Sequence, residues 1–272
     1  MFDRPRTGAA YVGGNRLLLK TRSGLKLYVD SRDVSISPHL ILDGVWEEWT
    51  ERVLLRSLRR GMTVIEVGAN IGYFTLTMGR AVGPSGRVHA FECDPELAQL
   101  ARDNVEINGL QRWVSVVQRA VGGRNGTATF YRASRHRGGG SLIAGLEQNP
   151  MMATDQHTPF EVPMTTLDSF VAQERIEPDL VKLDAEGAEP SILRASPVLL
   201  ASKRALTIVM EFFPRFVREA GDDPASLLRL ITERGFTIEA IDEKRRRSQP
   251  ATIDALLARE SSELVIKRMP PA

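Results

Sequence analysis

Residues Val64–Leu76 read VIEVGANIGYFTL. An apolar run carrying one carboxylate, Glu66, enters a turn punctuated by Gly68 and Gly72, and a helix-like apolar pattern follows. In an open α/β sheet such a strand exit receives a nucleotide-like ligand where the strand order reverses. A dinucleotide turn requires G-x-G-x-x-G, whose second glycine lets backbone approach a pyrophosphate. Here Asn70 and Tyr73 occupy the second and third glycine places. A side chain stands where phosphate needs bare backbone, which counts against NAD or FAD.

S-adenosylmethionine carries a sulfonium and no phosphate, and a carboxylate with an amide at the turn suits it. Glu66 is placed to face the cofactor's ammonium or a water bound to it, and Gly68 and Gly72 permit the tight turn. Ala69, Asn70 and Phe74 complete this stretch as cofactor-binding candidates. Downstream, VHAFECD ends a strand at Glu92, where an acidic side chain accepts hydrogen bonds from both ribose hydroxyls. Glu92 therefore marks an adenosine without choosing between cofactors, and Cys93 sits beside it.

Around this centre, strand and helix patterns alternate. Val64–Val67 reads as a strand, Tyr73–Ala81 as a helix and Arg87–Glu92 as a strand. Asp94-Pro95 is an N-cap followed by a proline suited to a first helical turn, and Asn108-Gly109 closes that helix. Val114–Gln118 is a third strand. TATFYR and PFEVPM read as strands around the glycine-rich, basic RASRHRGGGSL, a loop expected to be mobile. TLDSFVAQE (helix), LVKLD (strand), a helix near Pro190–Ala195 and ALTIVMEF (strand) restore the rhythm. A helix (DPASLLRLITERG) and two strands (FTIEAI, SELVIKR) finish it, with the intervening RRRSQPATIDALLARES read mainly as loop.

This alternation predicts an α/β fold, a doubly wound, mostly parallel sheet with an antiparallel edge strand. Residues 1–60 are expected to form an extension packed on a main domain of residues 61–272. The extension holds a β-hairpin (RLLLKTRSGLKLYVD, turning at Ser23-Gly24) and a helix with Trp46, Trp49, Val53 and Leu54 at helical spacing, closed by Gly61. Trp46 and Trp49 are expected in its core.

GMTVIEVGANIGYFTL, VHAFECDPELAQLARDNVEINGL, TTLDSF and DLVKLDAEGAEPSILRAS, in this order, resemble the FkbM family of S-adenosylmethionine-dependent methyltransferases over roughly Trp46–Phe212. The resemblance implies a class I methyltransferase (Rossmann-like) fold and transfer to an oxygen, often a hydroxyl of a sugar, glycan or polyketide-like natural product. It places Glu47 near the cofactor's amino-acid end and a serine, Ser141, beside the cofactor. Two positions depart from the family's usual pattern. Cys93 stands where proline usually follows the ribose acid, and KLDAEG replaces KIDVEG with its charges unchanged.

Methyl transfer is an in-line displacement, so the protein chiefly orients and desolvates the reactants. A hydroxyl acceptor must also lose a proton. Period-two alternation puts Lys182 and Asp184 on one side of their strand, with Glu186 in the turn beyond. Asp184 is the first candidate for acceptor orientation or proton removal and Glu186 the second. Lys182 is placed either to hold Asp184 ionised or to lower an alkoxide's energy by its charge. Glu189 reads as a first-turn helix residue rather than a catalyst. Glu211, closing its strand in IVMEFF, points toward the same cleft, and Asp184 with Glu211 supplies only two oxygen ligands, too few to favour a metal. His136, in the basic loop, is a weaker candidate on the acceptor side. Arg119-Ala120 falls where such folds meet adenine, and backbone of Ala120 is the expected contact.

The composition bounds these readings. The chain has 272 residues with 36 basic and 34 acidic side chains, net +2. That balance gives no electrostatic stripe for nucleic acid, so Glu243–Gln249 (EKRRRSQ) reads as a solvated edge loop. The single cysteine excludes an internal disulfide, and no run approaches membrane-spanning length. A cytoplasmic location is the expectation, and the sequence leaves the oligomeric state and the acceptor open. The rival readings are an NAD-dependent oxidoreductase and a nucleic-acid methyltransferase.

Overall fold

A computed structural model of the protein describes residues 8–144, 155–242 and 247–269. The N-terminal part forms a three-stranded antiparallel sheet, β1 (Ala9–Gly13), β2 (Arg16–Lys20) and β3 (Lys26–Asp30), followed by α1 (Ile36–Asp43) and α2 (Glu48–Ser57). The expected hairpin is present as β2 and β3, with Gly24 at φ 90° in the turn, and β1 extends it. α2 ends at Ser57, capped by Leu58, rather than at Gly61. Gly61 lies in the following turn, donating its N–H to Val82 at 2.9 Å.

The main domain begins with β4 (Thr63–Val67), α3 (Tyr73–Val82), β5 (Arg87–Phe91), α4 (Pro95–Ile107) and β6 (Val114–Val117). A small sheet of β7 (Ala120–Val121), β8 (Gly126–Ala133) and β9 (His157–Thr165) interrupts the alternation. It resumes with α5 (Leu167–Glu174), β10 (Leu180–Leu183), α6 (Glu189–Arg194), α7 (Pro197–Ala201) and β11 (Leu206–Phe212). α8 (Pro214–Glu219), α9 (Pro224–Glu233), β12 (Thr237–Asp242), β13 (Arg247–Pro250), α10 (Ile253–Leu257) and β14 (Ser262–Arg268) complete it.

The eight strands of the large sheet lie in the order β13-β12-β14-β11-β10-β4-β5-β6. β6, β5, β4, β10 and β11 are parallel, so their carboxyl ends share one edge. β4 has its successor β5 on one side and the much later β10 on the other, which makes its exit the switch point where ligands bind. The last two expected strands do pair antiparallel, but β14 inserts between β12 and β11. β13, within the stretch read mainly as loop, supplies the antiparallel edge. Of the basic run Glu243–Gln249, residues 243–246 lie outside the described residues, and Arg247–Gln249 belongs to β13.

Both faces of β4 are buried, which is why it reads as a nearly continuous apolar run. Ile65, Val67, Val181, Leu183, Ile208 and Met210 pack under the α5, α6 and α9 side. Val64, Leu54, Leu76, Met78, Val88 and Leu180 form the opposite core. Glu66 and Lys182 are adjacent in the β4–β10 register and sit on this second face, charged groups in an otherwise apolar layer.

The N-terminal sheet is tied to α4 by side-chain amides. Asn104 accepts from the Tyr28 N–H (2.6 Å) and donates to the Tyr28 carbonyl (2.9 Å) and to the Ile71 carbonyl of the glycine turn (2.8 Å). Asn108 repeats the pairing with both backbone groups of Lys26. Edge-strand backbone that would otherwise need water is thereby satisfied by helix side chains. Among the described residues, no helix is long and apolar enough to cross a membrane.

Candidate active site

A cavity of about 330 Å³ opens along the carboxyl ends of β4, β5, β10 and β11, within the size of small-molecule sites. Its floor is the glycine turn. Gly68 has φ 81°, and a Cβ there would lie 1.8 Å from the Asp184 carbonyl oxygen, so only glycine lets the β4 and β10 exits come this close. The N–H groups of Gly68 and Ala69 both donate to the Phe91 carbonyl, at 3.0 and 2.9 Å. Asn70 takes a left-handed conformation (φ 51°), tolerated by its short polar side chain, whose Oδ1 accepts from the Ile71 N–H.

At one end stands Glu92. Its Oε2 accepts from the Asn70 N–H and its Oε1 from the Asp94 N–H, both at 2.8 Å. The carboxylate is thus fixed in orientation while it lines the cavity. Burial pushes its pKa up to about 7, and the two N–H donors hold it from rising further. Cys93, Arg119 and Ala120 line the same end. Burial also raises the Cys93 thiol well above its ordinary range, leaving it protonated and inert as a nucleophile.

The other end is acidic. Lys182 Nζ lies 2.8 Å from Asp184 Oδ2 and 4.7 Å from the centre of the Phe74 ring. Burial opposes its charge, but Asp184, Glu47 and Glu66 outweigh that and raise its pKa. Asp184, Glu186 and Glu211 each offer a carboxylate oxygen, all within 4.8 Å of one another. The two carboxylates foreseen here are therefore three, a donor set that also suits a hard divalent cation. Burial and then the neighbouring Asp184 charge push Glu211 up to about 11, and Glu186 is raised well above the carboxylate range for the same reasons. Glu263, opposite Glu211 on β14, is pushed to about 8 by burial. Crowded, poorly solvated carboxyls hold protons that isolated ones would release.

Glu47 joins this end through a left-handed backbone (φ 41°) that delays α2 to Glu48 and turns the side chain toward Asp184 and Lys182. Burial, with Asp184, raises it to about 7. Trp46, expected in the core of a helix, lies before α2, packs partly buried against the core and also lines the cavity. Glu66 is fully buried behind the wall; its Oε2 accepts from Thr75 and its Oε1 has no hydrogen-bond partner among the described residues. Burial raises it to about 7.

The glycine-rich loop read as mobile is a pinned roof. Asp155 accepts from the N–H groups of Arg135 (2.8 Å) and His136 (2.6 Å) and from the Ser134 hydroxyl. Asp33, from the N-terminal part, accepts from the Arg137 N–H at 3.2 Å. Arg132 grips Asp94 and Glu96 at the start of α4, and Arg137 also reaches Glu96. His136 lines the cavity, its Nδ1 3.6 Å from Asp155. Ser141 does not line the cavity itself but sits directly behind its wall, between the lining residues Gly140 and Leu142: it is 3% exposed and its Oγ donates to the Glu186 carbonyl at 2.8 Å. Sequence reasoning missed Asp33, Asp155 and the stacked Phe213–Phe216 pair that lines the acidic end (ring centres 4.8 Å apart). Asp33 is locally marked only as the acceptor for the Ser35, Ile36 and Ser37 N–H groups at the start of α1, and nothing local signals the contacts of either aspartate with the roof.

The sequence model described as the methyltransferase FkbM domain matches residues 66–238. The chain belongs to the FkbM methyltransferase family. It is an S-adenosylmethionine-dependent methyltransferase, which sets aside the oxidoreductase reading. The site fits this cofactor: the Gly68–Asn70 turn and the Glu92 carboxylate, oriented by the Asn70 and Asp94 N–H groups, line one cavity of suitable size. Among curated proteins, this FkbM chain is similar to the protein-L-isoaspartate O-methyltransferases of Methanothrix thermoacetophila (50% identity over 52 residues, 19% of this chain and 25% of that one) and Thermotoga maritima (32% over 89 residues, 33% and 26%). The matches span about a quarter of those relatives' length. Solved structures with a similar fold include an S-adenosylmethionine-dependent O-methyltransferase from Thermotoga maritima (16% identity, 96% of each chain, TM-score 0.45). Another is an O-methyltransferase from Bacillus cereus in complex with S-adenosylhomocysteine (16%, 87% and 82%, TM-score 0.45).

Proposed function

We propose that this FkbM-family enzyme methylates a hydroxyl oxygen of a small molecule, a sugar, glycan or natural product, with Asp184 receiving the hydroxyl proton. The observation that carries this reading is the convergence of Asp184, Glu186 and Glu211 at the end of the cavity away from Glu92, with Lys182 paired to Asp184.

S-adenosylmethionine, when bound, supplies an electrophilic methyl group on a positively charged sulfur. The chain's residues supply the rest. Glu92 accepts hydrogen bonds from the ribose hydroxyls, backbone at Ala120 meets the adenine, and Glu47 faces the amino-acid end. Lys182 pairs with Asp184 Oδ2 at 2.8 Å, which leaves Asp184 Oδ1 for the acceptor. Asp184 Oδ1 would take the proton of the acceptor hydroxyl, leaving that oxygen to receive the methyl group the cofactor would supply. Glu211, pushed up to about 11 by burial and then by the Asp184 charge, carries a proton at neutral pH and donates a hydrogen bond to a neighbouring acceptor oxygen, with Glu186, raised by burial and by Asp184, beside it. Phe213, Phe216 and Trp46 exclude water from the line of transfer.

A second reading is carboxyl methylation, favoured by the short similarity to isoaspartate O-methyltransferases. Incubation with methyl-tritiated S-adenosylmethionine and a panel of sugars, glycosides, hydroxylated natural products and an isoaspartyl peptide separates the two. Ether methylation gives label that survives mild alkali. Label released as methanol by alkali, or transferred only to nucleic acid, would overturn the hydroxyl reading.

A further inference from the structure

Glu186 has a positive φ (47°), uncommon for a residue with a long side chain. Such a conformation persists only where its surroundings over-determine it, and it is concentrated at functional sites. Here the fixing groups can be named. The Glu186 carbonyl accepts from Ser141 Oγ at 2.8 Å, and that same oxygen accepts from the Ile143 N–H at 3.0 Å. On either side of Glu186, the Ala185 N–H donates to Glu189 Oε1 (2.7 Å) and the Gly187 N–H to Glu189 Oε2 (3.0 Å). Glu189 is 5% exposed, and both its oxygens are spent on this turn. It opens α6, yet serves the loop before the helix rather than the helix itself.

We propose that Ser141 and Glu189 are positioning residues that clamp the Glu186 peptide in its left-handed conformation and so hold the Glu186 carboxyl against Asp184 and Glu211. The inference rests on the reading of that acidic end as the acceptor side. Neither residue lines the cavity, so neither is a catalytic residue. Ser141 also belongs to the roof strap: its backbone pairs with Tyr131 in both directions, at 2.8 and 3.2 Å. The clamp therefore ties the roof over the cofactor end to the turn at the acceptor end. Gly187 (φ 94°) is left-handed as well, with Phe216 and Ile143 as its nearest side chains.

The test uses the full chain with Ser141→Ala, Ser141→Thr and Glu189→Gln. Binding of S-adenosylhomocysteine is measured by calorimetry, turnover on whichever acceptor the labelled panel reveals, and the Glu186 φ by crystallography of the S-adenosylhomocysteine complexes. Ser141→Ala and Glu189→Gln should each move Glu186 out of the left-handed region and lower kcat by roughly tenfold to hundredfold, as misplacement of a reacting group does. Cofactor affinity should stay within about twofold, a split that a general loss of structure would not give. Ser141→Thr, which keeps the hydroxyl, should recover most of the turnover. Glu189→Gln does not touch the roof, so a shift seen only in Ser141→Ala would assign the effect to the roof and overturn the clamp. An unmoved Glu186 peptide in both variants would overturn it as well. If the wild type yields no alkali-stable product, the hydroxyl reading fails, while the crystallographic arm still decides the clamp.

Discussion

Glu92 offers a direct test of the cofactor end. Its two oxygens hold the Asn70 and Asp94 N–H groups at 2.8 Å each, and the same carboxylate faces the cavity. Glu92→Ala removes both ribose acceptors. Hydrogen bonds to a charged group contribute about 1.5–3 kcal/mol each, so two of them amount to about 3–4 kcal/mol after partial replacement by water. At 1.4 kcal/mol per factor of ten, the dissociation constant for S-adenosylhomocysteine should rise roughly 140- to 700-fold at pH 8. The substitution also leaves two backbone donors without an acceptor, at about 1–3 kcal/mol each, and the melting temperature should fall by roughly 5–15 °C. Calorimetry well below the variant's transition separates the two effects. Glu92→Gln is the control: it restores one acceptor and should recover much of the stability but little of the affinity. Affinity within threefold of wild type in both variants would remove Glu92 from the ribose and refute the geometry on which the cofactor's placement rests.

Glu92 carries its proton up to about pH 7 in the free protein, whereas ribose hydroxyls favour the ionised form. Affinity for S-adenosylhomocysteine should therefore rise between pH 6 and 8, and a flat calorimetric profile would contradict this. The same burial acts on stability with a definite sign. Glu66, Glu92 and Glu189 each have pKa values raised to about 7 by burial, so the folded chain retains protons that the unfolded chain has released. Stability from these groups is fully present below about pH 4.5 and is lost as pH rises through about 7; the ligand-free melting temperature should decline over that window, as followed by calorimetric scans. Asp184→Asn keeps a hydrogen-bonding partner for Lys182 but not a base, so cofactor affinity should change less than about fivefold while turnover falls by roughly 10²-fold or more; retained turnover would reduce Asp184 to a structural partner. If Asp184 acts as a proton acceptor without a cation, dialysis against a chelator should leave turnover within about twofold, and a loss restored by magnesium would assign the three carboxylates to a metal.

How far these features could be read from the chain depended on whether each is local. Gly68 and Gly72 announce a tight turn because no other residue fits there, and Glu92 lies at a fixed interval beyond them. Lys182 and Asp184 share a face by simple alternation, and their ion pair follows. The convergence of Glu186 and Glu211 with them depends on β10 and β11 being neighbours, which the alternating pattern implies. The insertion of β14 between β11 and β12 has no such local cause: strand order is decided by which apolar faces remain to be covered. β1, α1, α7 and α8 are short, and short elements owe their form to tertiary packing rather than to propensity. The roof was misjudged because glycine content describes the freedom of an isolated loop, whereas Asp33 and Asp155 remove that freedom from 104 and about 20 residues away. Glu189 was legible as a helix-start residue, but its service to the preceding loop requires knowing that it is buried.

Asp33 and Asn104 have a practical consequence for anyone dissecting the molecule. A deletion of residues 1–60 would preserve the large sheet and the Glu92 carboxylate. It would also strip the Arg137 amide of its acceptor and leave the Asn104 amide without the Tyr28 backbone. Such a minimal fragment is expected to bind the nucleoside in an open trough, with rapid ligand escape. The leading sixty residues are better regarded as one wall of the reaction chamber than as an appendage.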